Sequence, residues 1–241
     1  MVIYRKFSTG LKLYEKIVPT NLKGKKVSSQ QWLTRQLNDP YVEKAKMMNY
    51  RCRSAFKLIE IDDKNSFLKP GQTVIDCGAA PGSWTQVAVL RCNADGKQKK
   101  KIGTVIGIDK LQIYPLEGAQ LLGNMDFTLK ESQLKILQLL NNAKLDVVLS
   151  DMAPNATGVR SMDQENILNL CYSVLKFAVQ MSNDGGTLLV KVWDGGGVPK
   201  LCKDIEKFYN HVKIIKPNAS RSDSAEKFLL GRGFKGLKTT L

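Results

Sequence analysis

The chain reads as one α/β domain on a mainly parallel sheet, and three observations predict it. Short strand candidates rich in Val, Ile or Leu alternate with helical periodicity from about residue 53 to 231. The run Val74-Ile-Asp-Cys-Gly-Ala-Ala-Pro-Gly-Ser-Trp84 passes from a strand through two glycines into an apolar helical pattern, the opening of a nucleotide-binding α/β unit. Acids then recur where strands end, at Asp76, Asp109, Asp126 and Asp151. Open parallel sheets hold their ligands along that edge.

In chain order, the patterns predict a helix at 53–63, a strand at 73–77 and a helix at 83–91 carried by Trp84, Val87, Ala88 and Leu90. Strands at 104–109 and 122–126 follow, then a helix at 130–142, a strand at 145–150 and a helix at 162–181. A strand at 186–192, a helix at 198–209 and strands at 211–215 and 227–231 complete the domain. Strand and helix alternation implies right-handed crossovers. Lys97 to Lys101, after Asp95-Gly96, reads as a solvated loop, and residues 1–30 read as weakly structured. The division expected is a basic extension over 1–27 and one domain over 28–241.

Composition narrows the function. Lys and Arg number 37 against 22 acids, a net charge of +15. Residues 1–26 hold Arg5, Lys6, Lys12, Lys16, Lys23, Lys25 and Lys26 against Glu15 alone. Lys44, Lys46, Arg51, Arg53 and Lys57 flank the first expected helix, and Lys227, Arg232, Lys235 and Lys238 close the chain without an acid. Such clustering suits phosphate contacts, so a nucleic-acid partner is expected. Val2, Ile3, Phe7, Leu11 and Leu13 make the basic extension partly amphipathic, as mitochondrial transit segments are, and Arg5-Lys-Phe-Ser8 is similar to a matrix-processing site. The other reading of this segment is an RNA-binding arm in a cytoplasmic protein. No apolar run of about 18 residues occurs, so no membrane span is expected. The five cysteines (52, 77, 92, 171 and 202) are scattered without a C-x-x-C pair, which argues against a disulfide scaffold or a metal site. Cys77 and Cys171 lie in apolar patterns and read as buried thiols.

The glycine turn departs from the dinucleotide fingerprint. Gly78 and Gly82 are spaced G-x-x-x-G with Pro81 between them, which disfavours a pyrophosphate cradle. An adenosine cofactor without phosphates fits better, and S-adenosylmethionine is the expected one. Asp109 would accept hydrogen bonds from both ribose hydroxyls, Asp126 would meet the adenine amino group, and Asp151 stands where the fourth strand turns. Lys191 is a lysine inside an apolar strand run, where lost hydration favours the neutral form. The single histidine, His211, begins a strand opposite the ligand edge, so a proton acceptor must be Lys, Asp or Glu. Residue by residue, Lys57 reads as a solvated helix lysine and Glu226 as a turn acid. A methyltransferase acting on protein or small molecules, and an RNA-binding assembly factor without catalysis, both remain open at this level.

Three segments together resemble the FtsJ/RrmJ family of RNA 2′-O-ribose methyltransferases: Asp76-Cys-Gly-Ala-Ala-Pro-Gly-Ser-Trp84, Ser150-Asp-Met-Ala-Pro-Asn155 and Arg51-Cys-Arg-Ser-Ala-Phe-Lys-Leu58. The resemblance runs from about residue 28 to 231. It implies a class I, Rossmann-like, S-adenosylmethionine-dependent methyltransferase fold, seven-stranded and mainly parallel with the last strand antiparallel. It assigns catalysis to Lys57, Asp151, Lys191 and Glu226, and cofactor binding to Gly78, Pro81, Gly82, Ser83, Trp84, Asp109, Asp126, Phe127 and Asp151, with no metal. Gln31 to Val42 resembles the ribosomal branch, which methylates a uridine of large-subunit rRNA, and Tyr50-Arg-Cys-Arg53 resembles its mitochondrial members. The implied partner is large-subunit rRNA or a pre-ribosomal particle, met by a monomer in the mitochondrial matrix, with support of subunit assembly. A tRNA substrate is the alternative. Ser83, where the family has a smaller residue, and the extended loop Asp194-Gly-Gly-Gly197 depart from the pattern.

Overall fold

A computed structural model describes Gly24 and residues 26–237. Most of the expected basic extension therefore lies outside the described residues. Seven helices are described: α1 (Val27–Leu37), α2 (Pro40–Met47), α3 (Ala55–Asn65), α4 (Ser83–Cys92), α5 (Lys130–Leu140), α6 (Arg160–Met181) and α7 (Val198–Phe208). The seven described strands are β1 (Thr73–Cys77), β2 (Thr104–Ile108), β3 (Ala119–Leu122), β4 (Leu145–Ser150), β5 (Ser182–Trp193), β6 (Tyr209–Ile215) and β7 (Glu226–Phe234). They form one sheet in the order β3-β2-β1-β4-β5-β7-β6. β3 to β5 are parallel to their neighbours, and β7 enters antiparallel between β5 and β6.

Side-chain alternation sorts each strand between two cores. Ile75, Ile106, Val148, Leu188, Val190 and Leu229 pack on one face under α5, α6 and α7. Val74, Val105, Val147, Leu149, Leu189, Phe228 and Leu230 pack on the other, against Leu58 and Ile61 of α3 and Trp84, Val87 and Ala88 of α4. Burial on both faces explains why the central strands read as unbroken apolar runs. Cys77 and Cys171 are buried as expected, and burial pushes the Cys171 thiol up to about 12. No helix among the described residues is long and apolar enough to cross a membrane.

Beyond strand ends that shift, as in β5 (Ser182–Trp193 against 186–192) and β7 (Glu226–Phe234 against 227–231), two features differ from expectation. The third strand is Ala119–Leu122, where 122–126 was expected. Its apolar pair Leu121-Leu122 closes the strand, and the next residues bond a loop: Asn124 N donates to Leu111 O and Met125 N to Asp109 O. Asn124, at φ 57, turns the chain away from the ladder. The second difference is α1 and α2, short helices in which Ala45 is the only buried side chain among those described, so no apolar stripe announced them. The start of α2 was nevertheless written in the chain. Asp39 accepts the Tyr41 amide at 3.0 Å as an N-cap, and Pro40 opens the first turn.

Candidate active site

Strand parity places the site. Asp76, Asp151 and Lys191 each stand two residues beyond a side chain of the α3–α4 core (Val74, Leu149 and Leu189), so all three face that side of the sheet. Glu226 stands two residues before Phe228 and shares its face. Only an antiparallel β7 brings its first residue to the edge where the parallel strands end, with Glu226 opposite Trp193 and Phe228 opposite Lys191. Lys57, in the first turn of α3, meets them from the helix that packs on this face.

These four side chains converge. Lys57 Nζ lies 2.7 Å from Glu226 Oε2 and 3.9 Å from Asp151 Oδ2. Lys191 Nζ lies 3.0 Å from Asp151 Oδ1 and donates its directed hydrogen bond to the Asp151 carbonyl. Lys57, Lys191 and Glu226 are each no more than 9% exposed. The solvated position that residue-level reading gives Lys57 is thus corrected: its ammonium lies 5.9 Å from the Phe228 ring, against the sheet. Two ammonium groups and two carboxylates alternate in this cluster, which balances the charge that burial would otherwise penalise. On the opposite face of β5, the Cys171 thiol donates to the Lys191 carbonyl at 3.1 Å and fixes the backbone that carries the lysine.

The glycine turn lies beside this cluster. Gly78 and Gly82 have φ of 81° and 113°. A Cβ on Gly78 would collide with Met152, and one on Gly82 would stand 2.6 Å from Arg51 Nη1. Asp109 ties the turn down: its carboxylate accepts the Ala80 amide at 2.9 Å and the Leu111 amide at 2.7 Å. Arg51 donates to the carbonyls of Pro81, Tyr114 and Pro115 at 2.6–2.8 Å, clamping the turn to the loop after β2. Ser83 Oγ lies 2.8 Å from Ser54 Oγ, and the Trp84 indole donates to the Ser54 carbonyl at 2.8 Å. The start of α4 is thereby pinned to the start of α3, three residues before Lys57.

Asp76 is fully buried. One oxygen accepts the Thr85 hydroxyl at 2.7 Å, and the other has no hydrogen-bond partner. Burial, helped by the nearby Asp151 and Asp109 carboxylates, raises its pKa to about 7. Asp126 follows β3 by four residues, bonded by the Thr128 hydroxyl at 2.7 Å and paired with Lys110 at 3.0 Å. The Phe127 ring stands apart from the other cofactor candidates. It packs edge-on to Phe177 at 5.3 Å in the opposite core, which leaves only its backbone to face a ligand. No group of three or more His, Cys, Asp or Glu suited to a metal ion occurs among the described residues.

The family model for FtsJ-like methyltransferases matches residues 50–234. The chain belongs to this family. Among curated proteins, it is 61% identical over 224 residues to the mitochondrial rRNA methyltransferase 2 of Drosophila melanogaster, covering 92% of this chain and 90% of that one. It is 46% identical over 215 residues to the ribosomal RNA large subunit methyltransferase E of Cereibacter sphaeroides, covering 89% and 87%. A solved structure from Plasmodium falciparum, described as a proposed ribosomal RNA methyltransferase, superposes with a TM-score of 0.69 at 30% identity, covering 78% of this chain and all of that one. The seven-stranded sheet with one antiparallel strand is thus the fold of an FtsJ-like methyltransferase. Within it, sequence reasoning counted Arg51 only as charge and assigned nothing to Ser54, Thr85 or Ser220. Their roles depend on contacts across 6 to 64 residues of sequence, which local pattern does not carry.

Proposed function

We propose that this FtsJ-like methyltransferase transfers a methyl group from S-adenosylmethionine to the 2′-hydroxyl of a uridine ribose in mitochondrial large-subunit rRNA, in support of subunit assembly. The observation that carries the reading is the convergence of Lys57, Asp151, Lys191 and Glu226 beside the glycine turn. The mitochondrial rRNA methyltransferase among the relatives supports the substrate and the compartment. Residues 28–241 form the methyltransferase domain in this reading. The basic segment 1–27 directs the chain to the mitochondrial matrix.

The residues of the crevice fit the cofactor. The turn has no side chain at Gly78 or Gly82 to block close approach, and the unpartnered Asp76 oxygen suits a cationic ligand better than a pyrophosphate. Asp109 and Asp126 would hold the adenosine, Phe127 through its backbone, with Gly78, Pro81, Gly82, Ser83, Trp84 and Asp151 around the methionine half. S-adenosylmethionine supplies a methyl group already activated on a sulfonium sulfur. In this reading Lys191 Nζ would take the proton of the ribose 2′-hydroxyl. On transfer to the ribose oxygen the sulfonium would leave as a neutral thioether. Asp151 aligns Lys191, and Lys57, held by Glu226, places positive charge beside the developing alkoxide. Orientation supplies much of the acceleration because the leaving group needs no further activation.

Removing the Asp109 carboxylate takes away a charged acceptor for ribose together with the tether on the Ala80 amide. Such a loss costs about 1.5–3 kcal/mol. Calorimetry on Asp109→Ala is expected to show S-adenosylmethionine bound about tenfold or more weakly, and unchanged affinity would remove the cofactor site. The function itself is tested by mapping 2′-O-methylation in mitochondrial and cytosolic rRNA from cells with and without the protein. One uridine of the mitochondrial large-subunit rRNA is expected to lose its methyl group. An unaltered mitochondrial map would overturn both substrate and compartment.

A further inference from the structure

Glu226 has a second partner that the four-residue cluster does not account for. Its Oε2 faces Lys57, while its Oε1 accepts the Ser220 hydroxyl at 2.7 Å. Ser220 is 6% exposed. We propose that Ser220 is a positioning residue for methyl transfer, turning the Glu226 carboxylate so that it holds the Lys57 ammonium toward the reacting atoms. The proposal rests on the methyl-transfer reading above.

The physical need is rotational. A glutamate is free about its terminal torsion, where the preferences are broad and two-fold. A single bond from Lys57 fixes one oxygen but leaves the carboxylate plane free to swing. A second donor on the other oxygen fixes the plane, and with it the direction in which Lys57 is pulled. Ser220 can do this only if it is itself held, and the turn that carries it is held on every side. Ser220 N donates to Pro217 O at 3.0 Å. Ala219, fully buried between Ala45 and Phe56, donates its amide to Glu60 Oε2 at 3.1 Å and accepts Arg53 Nη2 on its carbonyl at 2.6 Å. Glu60 Oε1 in turn accepts the Tyr41 hydroxyl at 2.9 Å, and Arg53 pairs with Asp39 at 2.8 Å. Beyond the turn, Lys216 closes the loop by donating to the Ser222 and Ser224 carbonyls, and Ser224 Oγ accepts the Glu226 amide at 3.2 Å.

Lys57 and Glu60 lie on one face of α3, three residues apart. The helix therefore grips Glu226 from two directions. Lys57 binds the carboxylate directly, and Glu60 fastens the turn that presents Ser220. A hydroxyl retained for packing alone would need none of this bracing, and its loss would act on stability rather than on the chemical step.

The test is a cycle of Ser220→Ala, Glu226→Gln and the double variant in the full chain. Turnover is measured at saturating S-adenosylmethionine on the rRNA that the wild type methylates, and S-adenosylmethionine affinity by calorimetry. Ser220→Ala is expected to lower kcat about tenfold with cofactor affinity unchanged, and to add less than twofold on top of Glu226→Gln, because both act through one carboxylate. A Ser220→Ala kcat within twofold of wild type beside a severe Glu226→Gln loss would overturn the proposal alone. So would losses that multiply in the double variant, or a drop in cofactor affinity matching the drop in kcat. A Glu226→Gln enzyme of normal kcat would remove the catalytic reading on which the proposal stands.

Discussion

Lys191→Ala is expected to lower methyl transfer by at least 10²–10⁴-fold, the usual contribution of a general base, while S-adenosylmethionine still binds. Lys191 touches Asp151 and lies beside the cofactor turn, yet none of its contacts is to a residue of the adenosine side. Lys191→Arg separates basicity from charge. A guanidinium keeps its proton at any working pH, so this variant is expected to fail almost as completely. Calorimetric cofactor binding and single-turnover transfer, measured on both variants, decide the point. An active Lys191→Arg enzyme would show that the lysine supplies position and charge only. Joint loss of folding and cofactor binding in both variants would show that it is a structural residue.

Lys57→Ala is expected to be nearly as severe for transfer, about 10²-fold or more, and also to destabilise the fold. The substitution leaves the Glu226 carboxylate buried at 8% exposure with Ser220 as its only side-chain donor among the described residues. Breaking a buried ion pair from one side costs roughly 3–5 kcal/mol, mostly the penalty of the stranded charge. Adding Glu226→Gln removes that charge. The double variant should therefore recover much of the melting temperature lost by Lys57→Ala and none of the activity. Recovery of both would reduce the pair to a structural bridge. Recovery of neither would mean that Lys57 stabilises through packing on Phe228 rather than through charge.

Legibility in the sequence followed local physics. β1, β4, α4 and α6 were readable because apolar period and turn chemistry coincide there, as in Thr73–Cys77 running into the glycine turn. β3 slipped because Leu122, which ends the strand, reads from sequence as beginning one at 122–126, and the bonds of Asn124 and Met125 that end it go to a distant loop. The described side chains of α1 and α2 bury too little to write a stripe, and only Asp39-Pro40 signalled a helix start. In the site, the acids of β1, β2 and β4 were found from position alone, since a strand end is a local feature. Lys57 and Glu226 were not. Their spacing of 169 residues means that neither looks unusual until the sheet is assembled, and only the family resemblance had singled them out. Ser220, inside Ala219-Ser-Arg-Ser-Asp-Ser224, is indistinguishable in sequence from an ordinary polar loop residue.

The place of β7 in the sheet sets the order in which this molecule can be completed. β7 is the last of the described strands, yet it lies inside the sheet, and β6 pairs with no other described strand. Until Glu226–Phe234 has been synthesised, β6 has no neighbour to dock on. β5, twelve residues long and carrying Leu188, Leu189 and Val190, meanwhile presents an unpaired apolar edge of the kind that invites association between chains. The closing strand also delivers the carboxylate that holds Lys57. A chain stopped short of it lacks both the plug for its edge and the last member of the proposed site, so on that reading assembly of the sheet and acquisition of activity are one event.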